Sequence, residues 1–381
     1  METTNDLKIF IIGAGCSADY GYPLSKDFLE CLKSYGKKVA GRPNCDRLRQ
    51  IVTETADLME SSGTPTIDRL VRWIDEQPSK LGPRSMFYDH PDNKNYKDKI
   101  AWAEKQVLDA KRVTMADFLE REEDVRETAL CGYRDFLHDV FDERRDLGSL
   151  STTNSRVLSF NYDRLFEIAF GSYFKLQRDC YVNSYGKELL NSGWNGAGGR
   201  GEEIAPDRFC FLKLHGSAGA WIMGSHGEPR YFSSAALRGP EHCINDDFFL
   251  PPGRKLSPIP RENPEPFIVF PHEKEGVQQS GHTPICKEYL DAVWHKAEEL
   301  VGNARQIWVI GYSFDPNDRM SLMGLLRRKA QECEIVVQNP SAEEICNELR
   351  LQYPDLAGSL VPFPKRFGHI AGSPISANVT K

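Results

Sequence analysis

A glycine-rich turn, Gly13-Ala14-Gly15-Cys16-Ser17-Ala18, follows directly on the apolar run Lys8–Ile12. Strand, then G-x-G-x-x-A, then helix is the pattern of a dinucleotide-binding turn. Gly13 permits a tight turn, and Gly15 lets backbone N–H groups approach pyrophosphate oxygens with no Cβ in the way. A helix N-terminus adds partial positive charge. The acidic residue that usually holds a ribose about twenty positions later has no equivalent here; Asp46 is nearest, and nothing places it at a strand end. Four further apolar runs end in polar residues: Ser159-Phe160-Asn161-Tyr162-Asp163, Leu214-His215-Gly216-Ser217, Gly311-Tyr312-Ser313 and Gln338-Asn339-Pro340. Asn161 offers an amide that orients a group without titrating. His215 offers an imidazole, whose ordinary pKa of about 6.5 suits a general base near neutral pH. Each segment also has a structural reading: Asn161 and Asp163 as caps, His215 as a hydrogen-bonded core histidine, Gly311 and Asn339 as turn residues.

The elements that must position these residues are legible in outline. Lys8–Ile12, Val157–Phe160, Phe211–Leu214, Phe267–Phe270, Gln306–Ile310 and Ile335–Val337 are nearly continuous apolar runs, as expected of parallel strands covered on both faces. Helix-start chemistry follows two of them: Asp315-Pro316-Asn317-Asp318, and Ser341 with Glu344 as a capping box. Tyr289, Leu290, Val293, Trp294, Ala297, Leu300 and Val301 recur at helical spacing. The expected fold is α/β, a doubly wound, mostly parallel Rossmann-like sheet with a helical insertion. Polar residues after the strand carboxyl ends then share one rim, where such sheets bind ligands. The expected organisation is a first core part at 1–44, a helical insertion at 45–150, a second core part at 151–345 and a C-terminal helix end and tail at 346–381. Within the second part, about 175–262 is irregular and includes Gly193-Trp194-Asn195-Gly196-Ala197-Gly198-Gly199. The charged stretch from about 96 to 144 predicts one or two helices of the insertion.

Composition narrows the function classes. Against 48 Lys+Arg stand 55 Asp+Glu, a net charge of −7 over 381 residues, which disfavours nonspecific binding to nucleic acid or anionic membrane. No apolar run approaches the roughly 20 residues of a membrane span, and METTNDLKIFII lacks a basic leader. The chain reads as soluble and cytoplasmic. Its ten cysteines (16, 31, 45, 131, 180, 210, 243, 286, 333 and 346) come no closer than thirteen residues. A zinc site typically opens with two cysteines two to four residues apart, so no metal site is expected. The histidines other than His215 show no ligand spacing.

Taken in order, Gly-Ala-Gly-x-Ser with Gly21-x-Pro23, Asn-x-Asp, His-Gly, Gly-x-Ser and a late Asn resemble the sirtuin superfamily. The variants Ser-Phe-Asn-Tyr-Asp, Lys-Leu-His-Gly-Ser and Ile-Gly-Tyr-Ser-Phe-Asp are similar to its bacterial sirtuin-like branch, which includes NAD-degrading effectors of antiphage defence. The resemblance implies that Gly13, Ala14, Gly15, Cys16 and Ser17 cradle the pyrophosphate of NAD, with Pro23 in the same binding segment. It implies that Asn161 positions the nicotinamide ribose or a water, that Asp163 bonds the carboxamide and that His215 is the general base. Gly311 and Ser313 would border the adenosine ribose and phosphate, with Asn339 near the adenosine end. Two departures argue against protein deacylation: Leu24-Ser25-Lys26 replaces the Asp-Phe-Arg of deacylases, and their four-cysteine zinc module has no counterpart. The implied activity is NAD hydrolysis to nicotinamide and ADP-ribose, with NAD as substrate and no zinc. Cyclisation or transfer of ADP-ribose, or a sensor that binds NAD or an ADP-ribose derivative, are the alternatives. The resemblance further implies a homo-oligomer and a ring-shaped HerA-type ATPase partner.

Overall fold

Period-two alternation sorts the strand side chains onto two separate faces. Phe10 and Ile12 of β1 (Lys8–Ile12) join one buried cluster, while Ile9 and Ile11 join another. Both faces are covered, which explains why apolar residues run unbroken through the strand. The computed structural model describes residues 6–42, 45–79, 94–125, 130–141, 143–175, 209–222, 229–231, 265–270, 287–314, 319–329 and 332–367. Its remaining strands are β2 (Ser155–Ser159), β3 (Phe211–Lys213), β4 (Gly216–Ile222), β5 (Pro229–Tyr231), β6 (Glu265–Ile268), β7 (Gln306–Ile310), β8 (Glu334–Gln338) and β9 (Leu360–Phe363).

Six of these form one sheet in the order β3-β2-β1-β7-β8-β9, each neighbouring pair parallel. The order runs outward in both directions from β1 and β7, so the fold is a doubly wound, Rossmann-like α/β sheet. Its topological switch point lies between the carboxyl ends of those two strands. Two expectations about strands are corrected. The run at Phe267–Phe270 predicts a strand of the parallel sheet, but β6 pairs antiparallel with β4 in a second sheet, β5-β4-β6. Phe267 and Ile268 fall in opposite core clusters; burial on both sides produces the same apolar run whichever way the strand pairs. The tail expected after the C-terminal helix end contributes β9. Pro362 is accommodated because β9 lies at the sheet edge, where a missing N–H breaks no ladder.

Between β1 and β2 the described residues are helical: α1 (Gly15–Ala18), α2 (Phe28–Ala40), α3 (Asp46–Ser62), α4 (Ile67–Ser79), α5 (Lys94–Asp124) and α6 (Cys131–Val140). These cover one face of the sheet together with α7 (Leu165–Tyr173). The opposite face is covered by α8 (Lys287–Gly302), α9 (Arg319–Leu326) and α10 (Ala342–Gln352). The charged stretch is one 31-residue helix, α5, followed by α6. It packs on α3, α4, β4 and β6, and Asp109, Lys111, Arg112, Asp117, Glu120 and Glu122 are buried in it. The capping box is also corrected: Ser341 makes no side-chain cap, and its own N–H donates to Asn339 Oδ1 at 3.0 Å. The cap at 315–318, the glycine-rich segment at 193–199 and residues 368–381 lie outside the described residues. Among the described residues no helix is long and apolar enough to cross a membrane.

Candidate active site at the switch point

The loops after β1, β7 and β8 are laced together by their backbones. Gly13 N–H donates to Ile310 O at 2.9 Å, Gly15 N–H to Gly311 O at 2.7 Å and Gly311 N–H to Gln338 O at 2.9 Å. A Cβ on Gly15 would lie 2.7 Å from Gly311 O, and one on Gly311, whose φ is +64°, would lie 2.6 Å from Cys16 N. Glycine is required at both positions by loop-on-loop packing. Cys16 and Ser17 N–H groups donate to Gly13 O and Ala14 O, both at 3.0 Å. The N–H groups of Gly13, Gly15, Cys16 and Ser17 are therefore already used inside the protein, unlike the open cradle the motif suggests.

Asn339 belongs to the same lacing. Its Nδ2 donates to Tyr312 O at 3.1 Å while its Oδ1 takes the Ser341 N–H, so both ends of the amide brace the β7 and β8 loops. Ser313 is exposed, and Pro23 is half-buried in the segment between α1 and the turn at Ser25–Asp27.

A second group forms around Asn161, just past β2. Its backbone N–H donates to Ser159 Oγ at 3.1 Å, and its Nδ2 donates to Ser17 Oγ at 3.2 Å. Ser17 Oγ lies 2.9 Å from Tyr133 Oη of α6. Asn161 Oδ1 is buried and accepts no hydrogen bond, a costly state for an amide oxygen unless a ligand or water completes it. Asp163 accepts the Leu165 N–H at 3.0 Å, closing the first turn of α7. Burial pushes its carboxyl up, opposed by Lys213 and by a hydrogen bond from Ser17. Lys213 Nζ donates to the Asp163 carbonyl oxygen and, at 3.2 Å, to Glu167 Oε1. Burial pushes Glu167 up to about 7 against the pull of Lys213.

His215 stands beside this group in the turn from β3 to β4, 3% exposed. Its ring meets Phe160 edge-on at 4.9 Å between centroids and is tilted over Tyr162 at 6.3 Å and Trp294 at 6.2 Å. Phe160 and Tyr162 are the chain neighbours of Asn161. Two backbone bonds, Leu214 N–H to Ser159 O at 2.8 Å and Ala218 N–H to Tyr162 O at 2.7 Å, clamp the two segments side by side. Gly216 has φ +77° with its Cα against the Phe267 carbonyl, so no side chain fits after the histidine.

The structure thus joins Ser17 to Asn161 by a hydrogen bond and sets the His215 ring against Phe160 and Tyr162 on either side of Asn161, with Asp163 in the same segment, while Gly13, Gly15, Cys16, Gly311 and Asn339 lace the loops after β1, β7 and β8. Sequence reasoning misses Tyr133, Lys213 and Glu167. A lysine amid Phe211, Leu212 and Leu214 signals a buried cation needing a partner; Tyr133 has no such signal. Among the described residues no group of three His, Cys, Asp or Glu side chains could hold a metal ion. Compared with protein-family models and with curated proteins, the chain matches none.

Proposed function

We propose that this rim binds NAD and that Asn161 and His215 hydrolyse its nicotinamide–ribose bond. In this reading Asn161 Oδ1 accepts a hydrogen bond from a ribose hydroxyl or from the attacking water. His215 takes the proton that water loses as its oxygen bonds to ribose C1′. The bond to the pyridinium nitrogen breaks with its electron pair, so nicotinamide leaves neutral beside ADP-ribose. Holding amide, base and sugar in one arrangement supplies the orientation this dissociation needs. The observation that carries the reading is the buried Asn161 Oδ1, still without a donor, in a segment held by backbone bonds to the one that bears His215. The glycine turn joins the loops of this rim; because its N–H groups are occupied, the diphosphate must be met by other groups or displace those bonds.

Purified protein incubated with NAD is expected to release nicotinamide, and Asn161→Ala and His215→Ala to abolish release while circular dichroism is unchanged. Unchanged turnover in both variants refutes the assigned roles. Mass analysis of the product separates hydrolysis from cyclisation or transfer.

One observation favours a second reading, a sensor for NAD or an ADP-ribose derivative: Asn161 and His215 are only 6% and 3% exposed. Tight binding in calorimetry without nicotinamide release selects it. Following the resemblance, the hydrolase reading extends to an antiphage effector whose turnover is controlled by homo-oligomer assembly or by a HerA-type ATPase. Light scattering after size exclusion, with and without that partner, tests this; a monomer under all conditions removes it.

A further inference from the structure

The hydroxyl of Ser17 bridges Tyr133 and Asn161. Two side chains meet it: Tyr133 Oη at 2.9 Å and Asn161 Nδ2 at 3.2 Å. Ser17 Oγ accepts from the Asn161 amide N–H and shares a hydrogen bond with the Tyr133 hydroxyl, in which either oxygen can donate. The Asn161 amide faces Ser17 with its nitrogen and turns its oxygen away. Oδ1 is the atom left buried and without a donor. The group that completes it must be a donor, a hydroxyl or a water, and not an anionic phosphate oxygen.

Tyr133 is the only one of the three outside the loops of the sheet rim. It belongs to α6, it is fully buried, and its ring packs against Phe367 at 4.8 Å and Tyr20 at 5.7 Å. Those contacts hold the ring; the hydroxyl contributes the bond to Ser17.

We propose that Tyr133 is a positioning residue: acting through Ser17, it holds the Asn161 carboxamide with Oδ1 turned to a hydroxyl-bearing ligand, so the helical segment between β1 and β2 completes the active site. The inference rests on the NAD-hydrolysis reading for its kinetic consequences, but its geometry does not depend on that reading.

Tyr133→Phe removes one oxygen and keeps the ring packing. Its kcat for nicotinamide release is expected to fall about five- to tenfold, the range one lost hydrogen bond supplies, with KM within about twofold and an unchanged melting temperature. Because the effect passes through Ser17, adding Tyr133→Phe to Ser17→Ala is expected to cost nothing more. Wild-type kcat in Tyr133→Phe, a raised KM at unchanged kcat, or fully additive losses in the double variant would each overturn the proposal. Where wild-type protein releases no nicotinamide, the hydrolase reading falls, and the positioning role is decided by NMR of protein labelled with 15N-asparagine. The Asn161 side-chain amide signals, assigned by their loss in Asn161→Asp, are expected to shift in Tyr133→Phe; coincident signals overturn it.

Discussion

At the residue scale, the glycine motif does different work from the one its pattern advertises. Gly15 and Gly311 are glycine because each backbone lies where the other's Cβ would be, at separations of 2.7 and 2.6 Å from Gly311 O and Cys16 N. A methyl forced into such a contact costs about 1–3 kcal/mol, and Gly311, at φ +64°, adds about 1–2 kcal/mol for left-handed backbone. Gly15→Ala and Gly311→Ala are therefore expected to lower the thermal midpoint by several degrees, Gly311→Ala more. A purely phosphate-binding role predicts the opposite pattern, weakened NAD affinity at an unchanged midpoint, and one melting series with a titration separates the two.

At the scale of elements, the joint between α5 and α7 is ionic and dry. Arg164 donates to both Glu122 oxygens at 2.6 and 2.7 Å, with side chains 0% and 1% exposed. Gly219, at φ +79°, lets β4 pass directly over that guanidinium. Removing one partner leaves the other charged and buried, so Glu122→Gln is expected to cost about 3–5 kcal/mol in denaturant unfolding. The double variant Glu122→Gln/Arg164→Met is expected to recover part of that loss, because the stranded charge is gone. Equal stability of Glu122→Gln and wild type would show that the pair contributes no net interaction. Since α7 begins just after Asp163, this joint also holds the loop that carries Asn161.

At the scale of the whole molecule, the buried acids make folding pH-dependent. Glu167 rises from 4.5 to about 7 through burial. Between those values the folded chain holds a proton the unfolded chain has released, so stability falls as pH rises across the window. The contribution is complete below about 4.5 and lost as pH passes about 7. Asp163, raised by burial from 3.8, acts with the same sign. The melting temperature of wild type relative to Glu167→Gln is expected to decline from about pH 5 to about pH 7.5. A constant difference over that range would mean that Glu167 stays ionised when folded.

What the residues alone determine here is local. Unbroken apolar runs set β1 and β7 to the residue, and polar residues after strand ends mark the rim that carries Asn161 and His215. Partners across the chain are another matter. Apolar periodicity reports burial but not hydrogen-bond direction, so β6 reads as parallel although it pairs antiparallel with β4. Proline reads as a breaker, yet an edge strand such as β9 has no outer ladder for Pro362 to break. The charged stretch predicts helix without saying which side chains are covered, and in α5 Glu120 and Glu122 are buried against Arg42 and Arg164. Only the tertiary structure joins Tyr133 to Ser17 across 116 positions, because a contact between distant hydroxyls depends on how helices and sheet pack and leaves no trace in the spacing of either residue.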